Sequence, residues 1–358
     1  MKKLPFISLL AVAVLTLSAC GAASPTDGTS ATVNTEEVNF VEIVDFNGDT
    51  VTVRQNPTVV AIYDFSILDI LYSIGFERTG IETLIVPTRE TLPDGLSWFR
   101  DNGGDVQIIS GGTLFYVDWD VLDLVDPQLV VLGGRSFGMN AAGDRLSAED
   151  TDQFRSETMD RYTDTAFIRL GPNNQVADIL NDMARNVEVL SAIFPDLADD
   201  LNAELVNLKA EIDAIHEVVS ATDYTALFIM MVDATRMSIF LPESRFGMIY
   251  DEFGFTAAGD ALPEWTDQHG FETRTEFILE LDPDVIFVLD RSNLAEDVHG
   301  PAAETFLNDP IIAQTSAFQN GHIYYNLGPA AWYTLNGGFT SMRRMIADVN
   351  QFIANISE

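Results

Sequence analysis

The chain has 358 residues, 47% of them hydrophobic, with 55 acidic and 19 basic side chains and a formal net charge of −36. That length and apolar content are enough for two domains of ordinary size and argue against wholesale disorder. The acidity argues against nucleic acid, whose phosphates need a basic face. The one cysteine, Cys20, leaves no pair for an internal disulfide or a cysteine-based metal or redox centre.

In chain order, Met1-Lys2-Lys3 is a short basic start, and Leu4–Leu17 is an apolar run too short to span about 30 Å of hydrocarbon. Leu17-Ser18-Ala19-Cys20 resembles the bacterial lipobox. The expectation is a signal peptide over 1–19 and a lipid-modified Cys20, followed by a flexible, Ser/Thr/Ala-rich tether to residue 37. Val38–Phe46 and Thr50–Arg54, separated by Asn47-Gly48, predict a hairpin. Strands are expected at Val59–Tyr63, Ile81–Val86, Val106–Ile109 and Thr165–Leu170, with a helix from Ser66 that ends at Gly75. Residues 136–160 are polar and read as a loop. Asn173-Asn174 precede a helical pattern from Val176 to Ile193, and a second helix follows Pro195 to about Val219. Further strands are expected at Thr225–Val232, Arg236–Leu241 and His322–Asn326, and helices at Ser244–Phe253 and Ser341–Ile353.

One pattern occurs twice. Asp120–Arg135 and Glu276–Arg291 each read as a short helix, an Asp-Pro break and a buried strand delivering an arginine. Asp120/Glu276, Asp126/Asp282, Pro127/Pro283 and Arg135/Arg291 all share one offset of 156 residues. A fixed offset signals repeated architecture. The fold class is α/β, with two α/β lobes joined by a single long backbone helix: an N-terminal lobe over 38–172, the linking helix over 173–194, and a C-terminal lobe over 195–358.

Nothing in the sequence argues for an enzyme. The four histidines, at 216, 269, 299 and 322, lack metal-pair spacing, and there is neither a nucleophile elbow nor a phosphate loop. The arginines are more informative because bases are scarce. Arg135 and Arg291 end the repeated strands, where open α/β sheets bind ligands, and Arg245 opens a predicted helix. Surface ion pairing accounts for any one of them, but the three together favour an anionic ligand. His269 lies in a loop before the second copy, and Trp332-Tyr333 fits either a core or a cleft.

The order of lipobox, tether, two lobes and one linking helix resembles a class III substrate-binding lipoprotein of an ABC importer. The closer resemblance is to the receptors for catecholate ferric siderophores of the petrobactin and enterobactin type. The motifs are Ser244-Arg245-Phe246-Gly247-Met248-Ile249-Tyr250-Asp251, His269-Gly270, Pro283–Arg291, Asn320-Gly321-His322, and Trp332-Tyr333 with Gly337-Gly338. Tyr63-Asp64-Phe65 and Asp120–Arg135 match more loosely. The resemblance implies that Arg135, Arg245 and Arg291 face catecholate oxygens, and that His269 and Tyr333 fill iron positions left open by a tetradentate siderophore. It also implies apolar walls from Trp332 and Phe65, a further basic contact from Arg89, and docking of Asp120 and Glu276 to arginines of the permease. No intrinsic cofactor is expected. The partners implied are the ferric siderophore, the permease with its ATPase, and the membrane through the lipid on Cys20. The protein would be an extracytoplasmic, lipid-anchored monomer, on a Gram-positive surface rather than in a periplasm. Binding of haem, cobalamin or a hydroxamate siderophore stays open within the same fold, and an extracellular enzyme or cell-wall interaction module outside it. The polar segment 136–160, beside Arg135, departs from the family pattern.

Overall fold

The computed structural model describes residues 38–140, 142–159, 161–171, 178–242, 244–258, 270–294 and 300–356. The expected signal peptide, Cys20, the tether and His269 lie outside them. Among the described residues no helix is long and apolar enough to cross a membrane.

The N-terminal lobe opens with an antiparallel hairpin, β1 (Phe40–Val44) and β2 (Thr50–Arg54). Its turn is organised by Asp45, whose carboxylate accepts from the backbone N–H groups of Asn47 and Asp49. Then come β3 (Val59–Ile62), α1 (Phe65–Ser73), β4 (Thr83–Val86), β5 (Gln107–Ser110), α2 (Trp119–Val125), β6 (Leu129–Leu132), α3 (Ala148–Met159) and β7 (Ala166–Arg169). The strands β3 to β7 make one parallel sheet in the order β5-β4-β3-β6-β7. All four residues of β6 are buried, as a strand covered on both faces requires.

The chain leaves this lobe through α4 (Ile179–Ile193) and α5 (Ala198–Ser220). The C-terminal lobe follows with β8 (Thr225–Met231), β9 (Met237–Phe240), α6 (Met248–Asp251), β10 (Thr256–Ala257), β11 (Phe271–Thr273), α7 (Thr275–Leu281) and β12 (Val285–Asp290). It ends with α8 (Pro301–Leu307), α9 (Ser316–Gln319), β13 (Ile323–Tyr324), α10 (Pro329–Tyr333) and α11 (Phe339–Ile356). Its sheet runs β11-β9-β8-β12-β13, with β10 beside β8. The strands β8, β10, β12 and β13 are parallel, and β9 runs antiparallel to both of its neighbours, β8 and β11.

The repeat is real in three dimensions: α2–β6 and α7–β12 occupy equivalent places in separate sheets. The residue before each proline, Asp126 or Asp282, leaves the helix in the left-handed region (φ 53° and 42°). There its N–H still reaches back to Leu122 or Ile278. Proline excludes the right-handed conformation for its predecessor, and aspartate tolerates the left-handed one better than most side chains.

Two expectations need correction. Of the expected linking helix over 173–194, residues 173–177 lie outside the described residues, and its described part, α4, is not the helix that crosses between the lobes. It starts after Asp178, which caps Asn181, and its C-terminal end is tied to the N-terminal lobe: Ile193 and Ala192 accept from Asn56 and Gln55. Pro195 forces a turn, and the next helix, α5, spans the molecule. At 23 residues it is about 35 Å long. It pairs Asp200 with Arg78 of the first lobe near one end, and His216 Nδ1 lies 3.0 Å from the Glu252 carbonyl of the second near the other. Segment 136–160 is not wholly loop, since α3 occupies its second half. Ser147 caps α3, accepting from the Asp150 N–H and donating to its carboxylate. A polar sequence hides such a helix from periodicity, and the cap was the available signal.

One apolar core runs through both lobes. Val60, Phe65 and Leu68 belong to the same buried cluster as Leu208 of α5, Phe228 of β8 and Met342 of α11, while two smaller clusters cover the outer faces of the two sheets. Where α1 meets α11, the buried Asp69 carboxylate accepts from the Ser341 N–H at 2.9 Å and so caps the start of the C-terminal helix from the other lobe. Gly338 makes room for it, because a Cβ there would lie 2.1 Å from Asp69 Oδ2. The second oxygen, Oδ1, is buried with no hydrogen-bond partner among the described residues. Burial accordingly raises the Asp69 pKa, against the lowering effect of hydrogen bonds from Ser341 and Thr340.

Asp69→Ala removes the cap and should cost about 2 kcal/mol in urea unfolding, whereas Asp69→Asn keeps an acceptor and should cost less. The raised pKa fixes the sign with pH. The folded state holds a proton that the unfolded state releases, so wild-type stability falls relative to Asp69→Asn as pH rises above the ordinary carboxylate range. A gap independent of pH would show that Asp69 is not titrating in the fold.

Candidate functional site

Parallel strands deliver their following loops to one end of each sheet, and the loops of the two lobes face each other there. Phe65 follows β3, Pro87 and Thr88 follow β4, Leu114 and Phe115 follow β5, and Arg135 follows β6. Across from them stand Arg291, directly after β12, and Tyr333 at the end of α10. Together they line a cleft of about 370 Å³.

The wall from the first lobe is mostly apolar. Two of its threonines turn their hydroxyl protons to the backbone, Thr88 to the Gly112 carbonyl and Thr91 to the Thr88 carbonyl, and the Thr113 hydroxyl accepts from the Phe115 and Tyr116 N–H groups. The charge is gathered around Tyr333. Its backbone carbonyl accepts from Arg135 Nη2 at 2.8 Å and from Arg245 Nη2 at 2.6 Å. The guanidinium carbons of Arg245, Arg291 and Arg135 lie 4.0, 5.1 and 5.4 Å from the centroid of its ring. Arg245 meets the tyrosine without itself lining the cleft, and its buried Nε has no hydrogen-bond partner among the described residues. Among those residues, none of the three arginines has a carboxylate within ion-pair distance.

Local sequence explains each placement. Arg135 follows Gly133, where a Cβ would come within 2.5 Å of Asp64 Oδ2, so glycine lets the strand end close on that acid. Asp64 caps α1 through the Ser66 N–H. Burial raises its pKa, and Ser66 and Arg135 oppose that rise. Burial also lowers the Arg135 pKa, with Tyr333 and Asp64 pulling it back up and Arg291 pushing it down; a guanidinium stays charged through such a shift. Arg245 sits in a turn closed by Ser244 on the Leu241 carbonyl, before the regular helix begins at Met248. Its neighbour Phe246 stacks on Phe228 at 4.5 Å. Arg291 opens a tight turn capped by buried Asp290, which accepts from Ser292 and Ala303.

Two candidates fall elsewhere. Trp332 is fully buried, 5.2 Å from the Phe228 ring, and donates its Nε1–H to Asp348 Oδ2 at 2.8 Å, so it belongs to the core and not to the cleft. An indole beside an apolar face and a buried acid satisfies both its surface and its donor there. Arg89 turns its Nε–H to the carbonyls of Phe99 and Arg100, closing the single π-helical turn Trp98–Asn102. Asp120 and Glu276 are exposed at the second positions of α2 and α7. Sequence reasoning missed the wall of Pro87, Thr88, Leu114 and Phe115. The signal for it was their place just beyond predicted parallel strands. Among the described residues no cluster of three or more His, Cys, Asp or Glu could hold a metal ion.

Trp332→Phe keeps a smaller aromatic ring and removes the donor to Asp348, whose pKa is raised by burial and held down by Gly328, Trp332 and Arg344. The variant should lose about 1–3 kcal/mol of stability and keep its ligand affinity. Calorimetric unfolding and a binding titration check both halves. Lost affinity at unchanged stability would place the indole in the cleft after all.

The family model described as periplasmic binding protein matches residues 60–326. The chain is 27% identical to the petrobactin-binding protein YclQ of Bacillus subtilis over 351 residues, 98% of each sequence. It is 26% identical to the ferric-anguibactin-binding protein FatB of Vibrio anguillarum over 178 residues, 48% of this chain and 54% of that one. The crystal structure of YclQ superposes with a TM-score of 0.71 at 26% identity, covering 87% of this chain and 98% of its own. The periplasmic catecholate-siderophore binding protein VctP of Vibrio cholerae matches in fold, with a TM-score of 0.70 at 23% identity over 87% and 99%. With its two sheets, shared core and inter-lobe cleft, the chain belongs to the periplasmic binding protein family and has the class III fold.

Proposed function

We propose that the chain is the binding component of an ABC importer, capturing a ferric catecholate siderophore in the inter-lobe cleft and handing it to the permease. One observation carries this reading. In a chain with 55 acidic residues, three guanidinium groups converge on Tyr333, two of them, Arg135 and Arg291, lining the cleft, and among the described residues none is paired with a carboxylate. Like charges are gathered this way where an anion is to be bound, and a ferric tris-catecholate carries three negative charges. The apolar wall of Phe65, Leu114 and Phe115 suits the aryl faces of such a chelate. The likeness to YclQ along nearly the full length supports the same ligand class.

With a siderophore that leaves iron positions open, Tyr333 would supply a phenolate oxygen, and His269, next to Gly270 in sequence, an imidazole. Cys20 carries the lipid that tethers the receptor outside the cytoplasm, on a Gram-positive surface. The docking points are Asp120 and Glu276, one exposed first-turn acid per lobe. The family's members are binding proteins, and this chain acts by binding, without catalysis and without a resident cofactor.

Titration with ferric bis-catecholate, ferric tris-catecholate, ferric hydroxamate and haem, followed by visible absorption and calorimetry, tests the ligand. Catecholates alone should bind tightly. Arg135→Met or Arg291→Met should weaken them about 10–100-fold, the loss of one charged hydrogen bond. A charge-transfer shift with the bis-catecholate, absent in Tyr333→Phe, would establish phenolate ligation. Preference for haem or hydroxamate would remove the catecholate assignment. Asp120→Arg with Glu276→Arg should abolish uptake by cells while leaving affinity unchanged, and unimpaired uptake would remove the docking assignment.

A further inference from the structure

We infer that Tyr333 is the positioning residue of the cleft: its ring and backbone carbonyl together hold Arg135, Arg245 and Arg291 convergent, in the place a carboxylate would otherwise take. The three arginines arrive on separate segments, the turn after β6 in the first lobe and the turns after β9 and β12 in the second. Among the described residues, Tyr333 is the partner they have in common. Arg135 and Arg245 share its carbonyl and all three approach its ring, while Arg291 meets the ring alone. Arg245 has no second anchor at its buried Nε.

The chemistry of the anchor matters. A carboxylate would hold the three guanidinium groups more strongly, but it would cancel their charge and compete with an incoming anion. A carbonyl oxygen and the negative face of an aromatic ring orient a cation and leave its charge whole. The anchor is itself fixed. Tyr333 follows Trp332, which is pinned to Asp348, and is followed by Thr334, whose N–H and hydroxyl both return to the Ala330 carbonyl. It also ties the lobes together at the cleft floor, since Arg135 reaches it from the first lobe.

The test compares Tyr333→Phe, which keeps the ring face, with Tyr333→Leu, which removes it. Both keep the carbonyl. The first readout needs no ligand: the side-chain Nε–H resonances of Arg135, Arg245 and Arg291 by NMR. They should stay dispersed in the phenylalanine variant. In the leucine variant they should collapse toward mobile values, with Arg291 moving most. The second readout is affinity for ferric tris-catecholate, whose six oxygens complete the iron coordination and exclude the phenol as a ligand. Tyr333→Leu should bind about 10-fold more weakly than Tyr333→Phe. Should the leucine variant not fold, Tyr333→Met poses the same question. Dispersed resonances in the leucine variant would overturn the inference. So would equal loss of affinity in both variants, which would assign the effect to the hydroxyl. The affinity arm rests on the anionic-ligand reading. If wild type ignores the tris-catecholate, that reading fails and the resonances alone decide this one.

Discussion

Three guanidinium groups around one tyrosine repel one another, and the structure spends much of its design keeping them there. Two charged hydrogen bonds to the Tyr333 carbonyl contribute about 1.5–3 kcal/mol each. Three cation–π contacts add about 0.5–2 kcal/mol each. Neither kind of contact neutralises the cluster. The one acid that acts on Arg135, Asp64, is committed to the cap of α1 and crowded by Gly133 and Gly171. It steadies the arginine from behind and cannot follow it into the cleft. Preorganised charge of this kind binds an anion without the cost of assembling the cluster at the moment of binding.

Preorganisation requires that the lobes hold still, and several features act to that end. The apolar core is continuous from β3 to α11, so opening the cleft widely would expose it. The helix α5 crosses from Arg78 to Glu252 without a break. Asp69 caps α11 from the opposite lobe, in a niche that only glycine at 338 allows. On the proposed reading, these features favour binding with little lobe movement, in contrast to a receptor whose lobes are joined by extended strands and close as a hinge.

Much of the fold was legible because its cause is local. The strands were read from short branched runs, the hairpin turn from Asn47-Gly48, and the two-lobe plan from the repeated Asp-Pro break, whose backbone consequence appears at Asp126 and Asp282. The linking helix was misplaced because hydrophobic period marks helices but does not say which one crosses between lobes. That is decided by the packing of α4 against the N-terminal hairpin and of α5 against α11. In the site, the arginines were legible as scarce bases at strand ends. Trp332 was misread because its neighbours, Phe228 and Asp348, are 104 residues before and 16 after it in sequence. Arg89 was misread because its partners are main-chain carbonyls, which no side-chain pattern announces.

A body charge of −36 contradicts the proposed anion binding only at long range. Screening in physiological salt reduces interactions beyond about 8 Å. A trianion therefore meets the general acidity while it is outside and the arginines once it is within the cleft. At about 4 Å a charge pair near a protein surface is worth about 4 kcal/mol, so the local cluster outweighs the diffuse field. The division has a use. On the proposed reading, an acidic exterior gives no foothold to polyanions and offers Asp120 and Glu276 to a basic partner, while the arginine cluster lies in a cleft walled on one side by apolar side chains. On the same reading, charge at the floor favours anions, and the apolar wall, where the Thr88 and Thr91 hydroxyl protons are already committed to the backbone, favours among them those that carry aryl faces.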